Sequence, residues 1–312
     1  MPDCQGRTID WATVSRIVIA GGSGFLGRAL ADALATDGHD VVTLSRRSGG
    51  PRVVAWTPDG SVGPWSSALD GATAVVNLAG ASIAGKRWTR AHKQRIRESR
   101  IAATRSLVEA IRGASQPPST FVSQSAVGYY GPRGDEPLDE EAPPGSDFLA
   151  RVCIDWEAET ARAAGDRTRV TWLRTGLVLD RRGGALPPML PPFWFGGGGP
   201  VGTGRQYWSW IHLADWVALA RWTIGEPRVV GALNATAPVP VTNRNFARAL
   251  GRAMHRPALM PAPAFAVRLL LGEMAEPLVL TGQRVVPAKA ERLGFRFRFT
   301  SVDDALAAIF RR

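Results

Sequence analysis

The twelve residues Arg16-Ile-Val-Ile-Ala-Gly-Gly-Ser-Gly-Phe-Leu-Gly27 constrain this chain more than any other stretch. Ile17, Val18 and Ile19 make a short apolar run of the kind that parallel sheets bury on both faces. Glycines follow at 21, 24 and 27, and then a helical pattern, Arg28-Ala-Leu-Ala-Asp-Ala-Leu34. Strand, glycine turn and helix make a phosphate-binding unit. Gly21 allows a tight turn, Gly24 a close backbone approach to a pyrophosphate, and Gly27 close packing of helix on strand. The helix N-terminus then offers free N–H groups and partial positive charge to an anion.

Residues 17–179 alternate apolar strand-like runs with helical ones, so the expected fold is α/β, a doubly wound parallel sheet. With 312 residues there is room for that domain and a smaller C-terminal one over it. The expected division is a flexible leader over 1–14 and a nucleotide-binding domain over 15–180, with return segments near 206–236. The substrate-side part then takes 181–205 and 237–312. No run of 18 uncharged apolar residues occurs, and the nearest stretch, Pro261 to Gly272, is short and carries Arg268, so no membrane span is expected. The N-terminus carries Asp3, Arg7 and Asp10 and no apolar signal-like region. Cys4 and Cys153 are far apart, which suggests no disulfide framework and fits a cytoplasmic protein. The net charge of +11 invites a nucleic-acid reading, but the arginines are scattered and the only lysines are Lys86, Lys93 and Lys289. A phosphorylated dinucleotide accounts for part of the excess, and no nucleic-acid partner is expected.

The end of the second strand, Asp40-Val-Val-Thr-Leu44, bears on the cofactor. NAD-preferring folds place an acid there against the ribose hydroxyls, whereas this chain has Ser45-Arg46-Arg47. Guanidinium groups bind a 2′-phosphate through charge-assisted, often bidentate bonds. NADP(H) is therefore expected over NAD(H). The expected cofactor contacts are Gly21, Ser23, Gly24, Phe25, Leu26 and Gly27 in the turn, Ser45 and Arg46 beyond it, and Asn77, Leu78, Ala79 and Gly80 at the end of the fourth strand.

Further along, an amphipathic helix over about 89–112 has Ile96, Ser99/Arg100, Ala103, Leu107 and Ile111 on its inner stripe. Residues 132–146, with Asp135, Glu136, Asp139, Glu140 and Glu141, read as a solvated acidic loop. Residues 183–204, with Trp194 among prolines and glycines, read as an irregular lid. Residues 207–212 read as one strand, and His212 with Asp215 as the cap of the helix after it. No metal-ligand spacing joins His39, His92, His212 and His255.

Several segments recur together in this order. They are Gly21 to Gly27, Asn77-Leu-Ala-Gly80, Ser125-Ala-Val-Gly-Tyr-Tyr-Gly131, Arg174-Thr-Gly-Leu-Val-Leu179, Trp210-Ile-His212, Asn234-Ala-Thr-Ala-Pro238 and Arg268-Leu-Leu-Leu-Gly-Glu-Met-Ala275. With them the chain resembles the epimerase-family branch of the atypical, extended short-chain dehydrogenases/reductases. The resemblance spans about 16–310. It implies a Rossmann domain for NADP(H) with a small C-terminal domain over the cofactor.

It also implies a serine after the fifth strand and a Tyr-x-x-x-Lys pair on the next helix, where the tyrosine moves the proton and the lysine lowers its pKa. Neither Tyr129, Tyr130 nor Tyr207 has a lysine four residues on. Aligning Glu157 with the glutamate that trails this motif puts Leu149 and Cys153 in the pair's places. Three substitutes stand. Ser125 binds a substrate carbonyl or bonds locally. Tyr129 or Tyr130 brings a phenol to the cleft or packs. Cys153 is a nucleophile or an inert helix thiol. Two functions stay open: an NADP(H)-dependent oxidoreductase or epimerase-like enzyme on a small carbonyl or sugar-like substrate, and a non-catalytic NADP(H)-binding sensor or interaction protein. The chain is expected to act as a monomer or homodimer.

Overall fold

Alternation within the first strand sets the layers of the molecule. In this computed structural model, which describes residues 15–47 and 49–311, β1 (Arg16–Ala20) sends Ile17 and Ile19 to one face of the sheet and Val18 and Ala20 to the other. The leader expected over 1–14 lies outside the described residues. Six further strands run parallel to β1: β2 (Asp40–Ser45), β3 (Val53–Ala55), β4 (Ala74–Asn77), β5 (Thr120–Ala126), β6 (Arg169–Thr175) and β7 (Gly231–Ala235). Their order is β7-β6-β5-β4-β1-β2-β3, with the chain reversing direction across the sheet between β1 and β4. Such a reversal leaves a crevice at the carboxyl ends of the central strands.

Each face is covered by helices. Leu30 and Leu34 of α1 (Phe25–Thr36) pack on the Ile17/Ile19 face with Trp216 and Leu219, which lie on a later helix, Leu213–Gly225. The Val18/Ala20 face takes Ala103, Leu107, Val108 and Ile111 of α2 (Arg90–Gly113). Thr89 caps α2 by accepting the His92 N–H at 3.1 Å, and Asp147 caps α3 (Phe148–Ala161) by accepting the Ala150 N–H at 2.8 Å. The Leu213–Gly225 helix is labelled α4. A separate core under α5 (Asn243–Met254) and α6 (Val302–Phe310) joins Phe246 and Leu306 to Leu186, Leu190 and Trp210. No described helix is long and apolar enough to cross a membrane.

Several local expectations change. The stretch read as strand through Leu179 leaves the sheet at Gly176, where any side chain would run into the Ser209 carbonyl. Leu177–Asp180 then pairs with Trp210–His212 instead. Residues 207–212 are two strands, because Ser209 turns aside to bridge the Gln283 carbonyl (2.8 Å) and the Val285 N–H (2.9 Å). Residues 183–204 contain a short helix, Leu190–Trp194, seated by the buried Leu190 and Phe193. The acidic loop is not wholly solvated. Leu138 is fully buried, Pro137–Leu138 pairs with Arg284–Val285, and the buried Glu140 accepts the backbone N–H groups of Asn234 (2.9 Å) and Lys289 (3.0 Å). Burial pushes the Glu140 carboxyl above its usual range.

Candidate functional site

The glycine turn closes tightly over the ends of β1 and β4. Gly21 has φ +80°, and a Cβ there would lie 2.8 Å from the Leu78 carbonyl, so conformation and space both demand glycine. A Cβ on Gly27 would strike the Gly21 oxygen and the Gly22 backbone. Gly24 is the extended N-cap of α1 and leaves the cap without a side chain. The first α-helical bond is Arg28 N–H to Gly24 O, at 2.9 Å, so the N–H groups of Phe25, Leu26 and Gly27 precede it. The Phe25 ring is turned away against Gly183 and Gly184. Phe25 and Leu26 thus offer backbone, not side chains.

A cleft of about 430 Å³ opens beyond this turn. Gly21, Ser23 and Gly24 form one wall, Ser45, Arg46 and Trp56 another, and Leu78, Ala79 and Gly80 the floor. Asn77 stands beneath that floor, fully buried. Its Nδ2 donates to Thr104 Oγ1 (2.9 Å) and Ser123 Oγ (3.3 Å), and its Oδ1 accepts the Ala79 N–H (3.2 Å). It shapes the loop that lines the cleft. Arg46 also borders an outer hollow with Ser23, Arg28, Ser45 and Arg47. Arg28, one turn into α1, joins this basic group, and its place four residues after Gly24 was the signal for it. The far wall carries Lys86, His92 and Arg95, and His92 Nε2 is buried there without a partner among the described residues. A glycine cradle, a helix N-terminus, a basic rim and an orphaned imidazole nitrogen together suit a long, multiply anionic ligand.

A second cavity, of about 230 Å³, lies past the ends of β5 and β6. Ser125, Leu149, Val152, Cys153, Trp156 and Trp208 are among its walls. Arg100 connects the two spaces: it lines the inner cavity, and its Nη1 donates to the carbonyl of Ala81, which lines the outer cleft. Leu149 and Cys153 face the cavity together, as the helical spacing implies. Burial pushes the Cys153 thiol up to about 12, with Glu157 adding to the effect, so it stays protonated at neutral pH.

The hydroxyls expected in this region are differently employed. Ser125 Oγ donates to Glu157 Oε1 at 2.6 Å. Glu157 is held in turn by Arg174 Nε (2.9 Å) and Nη2 (2.8 Å), both residues being buried. Arg174 Nη1 reaches the Tyr130 hydroxyl at 3.0 Å, and Tyr130 donates to Asn234 Oδ1 at 2.7 Å. Burial lifts the Tyr130 phenol to about 12, against the pull of Arg174. The Arg174 guanidinium lies 3.5 Å from the Tyr129 ring centre, and Tyr129 lines neither space. The geometry brings Ser125 to the inner cavity and leaves Tyr129 outside it. Trp208 lines the cavity, whereas Trp210 is buried and donates to Val239 O at 3.0 Å, and Trp194, in the stretch read as a lid, is exposed.

His212 Nδ1 accepts the Ala214 N–H at 3.0 Å and caps α4. Asp215 does something else. Its carboxylate accepts the N–H groups of Arg298 (2.8 Å) and Phe299 (2.9 Å), tying the C-terminal segment to α4. Among the described residues no group of His, Cys, Asp or Glu is arranged to hold a metal ion.

Residues 17–234 match the model of the NAD dependent epimerase/dehydratase family, and residues 262–309 match a domain of unknown function (DUF1731). An epimerase family protein of Mycobacterium bovis is 42% identical over 292 residues, covering 93% of this chain and 96% of that one. The crystal structure of human epimerase family protein SDR39U1 (isoform 2) with NADPH has a TM-score of 0.88 and 36% identity, covering 95% of this chain and 99% of the human one. A Corynebacterium glutamicum structure named as a nucleoside-diphosphate sugar epimerase has a TM-score of 0.80 and 37% identity, covering 96% of this chain and 58% of that one.

Proposed function

The chain belongs to the NAD dependent epimerase/dehydratase family, and from that premise we propose that it is an NADP(H)-dependent oxidoreductase of the epimerase type, acting on a compact, partly apolar carbonyl or sugar-like substrate. The cofactor is NADP(H), as in the human relative's crystal structure. The glycine cradle, the α1 N-terminus and the orphaned His92 Nε2 are the features that fit it. Gly21, Ser23, Gly24 and the backbone of Phe25, Leu26 and Gly27 hold the pyrophosphate. Ser45 and Arg46, with Arg28 and Arg47 at the same hollow, hold the 2′-phosphate. Leu78, Ala79 and Gly80 form the floor. Bound there, the cofactor donates or accepts a hydride.

One observation carries the substrate reading: an inner cavity with largely apolar walls lies beside the cofactor cleft, and Arg100 on its wall bonds to Ala81 of that cleft. Its volume of about 230 Å³ is below the about 300–1,000 Å³ usual for drug-sized ligands. That favours a ligand smaller than the nucleoside-diphosphate sugar in the Corynebacterium protein's name. Within the cavity Ser125 presents oxygen lone pairs, because its proton goes to Glu157. Leu149, Val152 and Trp156 exclude water from the reacting end.

A second reading, an NADP(H)-binding protein without turnover, draws on the same walls: Leu149 and Cys153 replace the phenol and ammonium that move the proton in typical relatives. Titration with NADPH followed by a screen of NADPH oxidation against small aldehydes, ketones and 2-oxo acids separates the two. Oxidation by a compact carbonyl is expected. Tight NADPH binding with no oxidation anywhere in the screen selects the second reading, and failure to bind NADPH removes both.

A further inference from the structure

We propose that Arg100 is the substrate anchor of the inner cavity, and that the substrate carries a carboxylate which pairs with this guanidinium on a compact apolar body. The proposal rests on the reading that the cavity of about 230 Å³ is the substrate site. Two other arginines point inward, Arg174 buried and Arg169 half-buried. Arg174 meets both oxygens of Glu157, the Tyr130 hydroxyl and the Glu140 carbonyl. Arg169 meets the carbonyls of Thr223, Val229 and Ile224 and the Thr120 hydroxyl. Arg174 is bonded through all three guanidinium nitrogens, and Arg169 through both Nη1 and Nη2.

Arg100 is bonded less than either. It is 8% exposed, yet only its Nη1 is bonded, to Ile96 O (2.9 Å) and Ala81 O (3.1 Å). Its Nε and Nη2 have no hydrogen bond among the described residues, and no carboxylate there forms an ion pair with it. The Trp156 ring, 5.2 Å away, supplies a π face and no counter-charge. A buried cation without an anion is destabilising, and at a cavity wall a bound anion would relieve it. Burial also pulls the Arg100 guanidinium below its usual pKa.

The Arg100 side chain lines this cavity, and so do two side chains that each carry an unpaired polar atom. Gln124 Oε1 and Trp208 Nε1 are buried without partners among the described residues, and both side chains line the same cavity. Trp208 is 7% exposed, so bulk water does not serve it. Leu149, Val152 and Trp156 make up the apolar remainder. A planar fork beside an apolar wall matches a carboxylate on a short hydrocarbon chain, held bidentately. The Gln124 oxygen and the Trp208 N–H suit a hydroxyl or carbonyl next to it.

The test is equilibrium binding to the NADP+-saturated protein, which has no hydride to transfer to the probes, by calorimetry and thermal shift, after NADP+ and NADPH affinities have been measured for each variant. The probes are 4-methyl-2-oxovalerate and 2-oxoisovalerate, each against the ketone in which a methyl group replaces the carboxylate, 4-methylpentan-2-one and 3-methylbutan-2-one. Wild type is expected to bind the acids at least tenfold more tightly than the ketones. Arg100→Gln should bring that ratio to within about twofold, and Arg100→Lys, which keeps the charge and loses the fork, should fall between. Equal binding of acids and ketones by wild type overturns the proposal without any variant, as does an unchanged ratio in Arg100→Gln. It is also overturned if Arg100→Gln weakens NADPH tenfold and leaves the ratio alone, since Arg100 would then serve the cofactor. Failure of wild type to bind NADPH at all is the distinct signature that the underlying reading is wrong.

Discussion

Ser125 donates its hydroxyl proton to Glu157 across 2.6 Å, at the inner end of a chain of buried bonds that runs on through Arg174 and Tyr130 to Asn234. That relationship joins β5, α3, β6 and β7 beneath the cavity. A serine engaged this way has no proton to offer a substrate carbonyl until it leaves the carboxylate. Its first role is to complete an ion pair that would otherwise be badly solvated.

Ser125→Ala should therefore lower stability by about 1.5–3 kcal/mol, the range for a hydrogen bond to a charged group, while NADPH affinity changes less than threefold. Glu157→Ala leaves Arg174 buried without its partner and should be worse, about 3–5 kcal/mol. Urea denaturation midpoints with NADPH titrations check both. A Ser125→Ala variant as stable as wild type but inactive would give the hydroxyl a direct part in the chemistry.

Arg46 tests the cofactor. Its replacement by alanine should weaken NADP(H) binding by about 1–3 kcal/mol, the range for losing a charge-assisted bond, with little effect on NAD(H). Fluorescence titration with the four nucleotides gives the answer directly. Equal losses for the phosphorylated and unphosphorylated forms would sink the 2′-phosphate assignment.

His212 gives a pH dependence with a definite sign. Burial pulls its imidazole down to about 4, Asp180 opposing and Arg298 reinforcing the shift. Its Nδ1 must also stay unprotonated to accept the Ala214 N–H. The unfolded chain takes up this proton near pH 6.5, and the folded protein does so only near 4. Stability from this group is present above about 6.5, is lost as pH falls to about 4, and changes no further below. His212→Asn keeps an acceptor at the cap and removes the titration. Its denaturation midpoint should vary less than that of wild type between pH 7 and 5. The comparison isolates His212 from Glu140 and Asp215, whose carboxyl pKa values burial raises and whose effect on that slope has the opposite sign.

Much of the framework was legible because it depends on neighbours in the chain. The run Ile17-Val18-Ile19 encodes two buried faces through a period of two. The inner stripe of α2, from Ile96 through Arg100 to Ile111, encodes one face through a period of 3.6. His212 accepts a first-turn N–H, as its position before that helix implied, and Thr89 and Thr242 do the same for theirs. The glycine turn was legible for the same reason: φ +80° at Gly21 is a demand on that residue alone. The break at Gly176 was not, because its cause is the Ser209 carbonyl, more than thirty residues away. Glu140 looked like one acid among five, and only its distant partners, the N–H groups of Asn234 and Lys289, make it an interior residue.

By itself, then, the sequence determined the dinucleotide unit and the parallel sheet around it, with Ser45-Arg46 pointing to the extra phosphate. These are matters of local backbone conformation, side-chain period and charge. The tertiary structure alone decided what the polar residues near the inner cavity do. Ser125, Glu157 and Arg174 come from three elements, and burial without water makes each the other's partner. The same packing leaves Arg100 two donors short at a cavity wall. Whether a buried charge is satisfied depends on which distant groups the fold brings within about 3 Å of it, and no spacing along the chain records that.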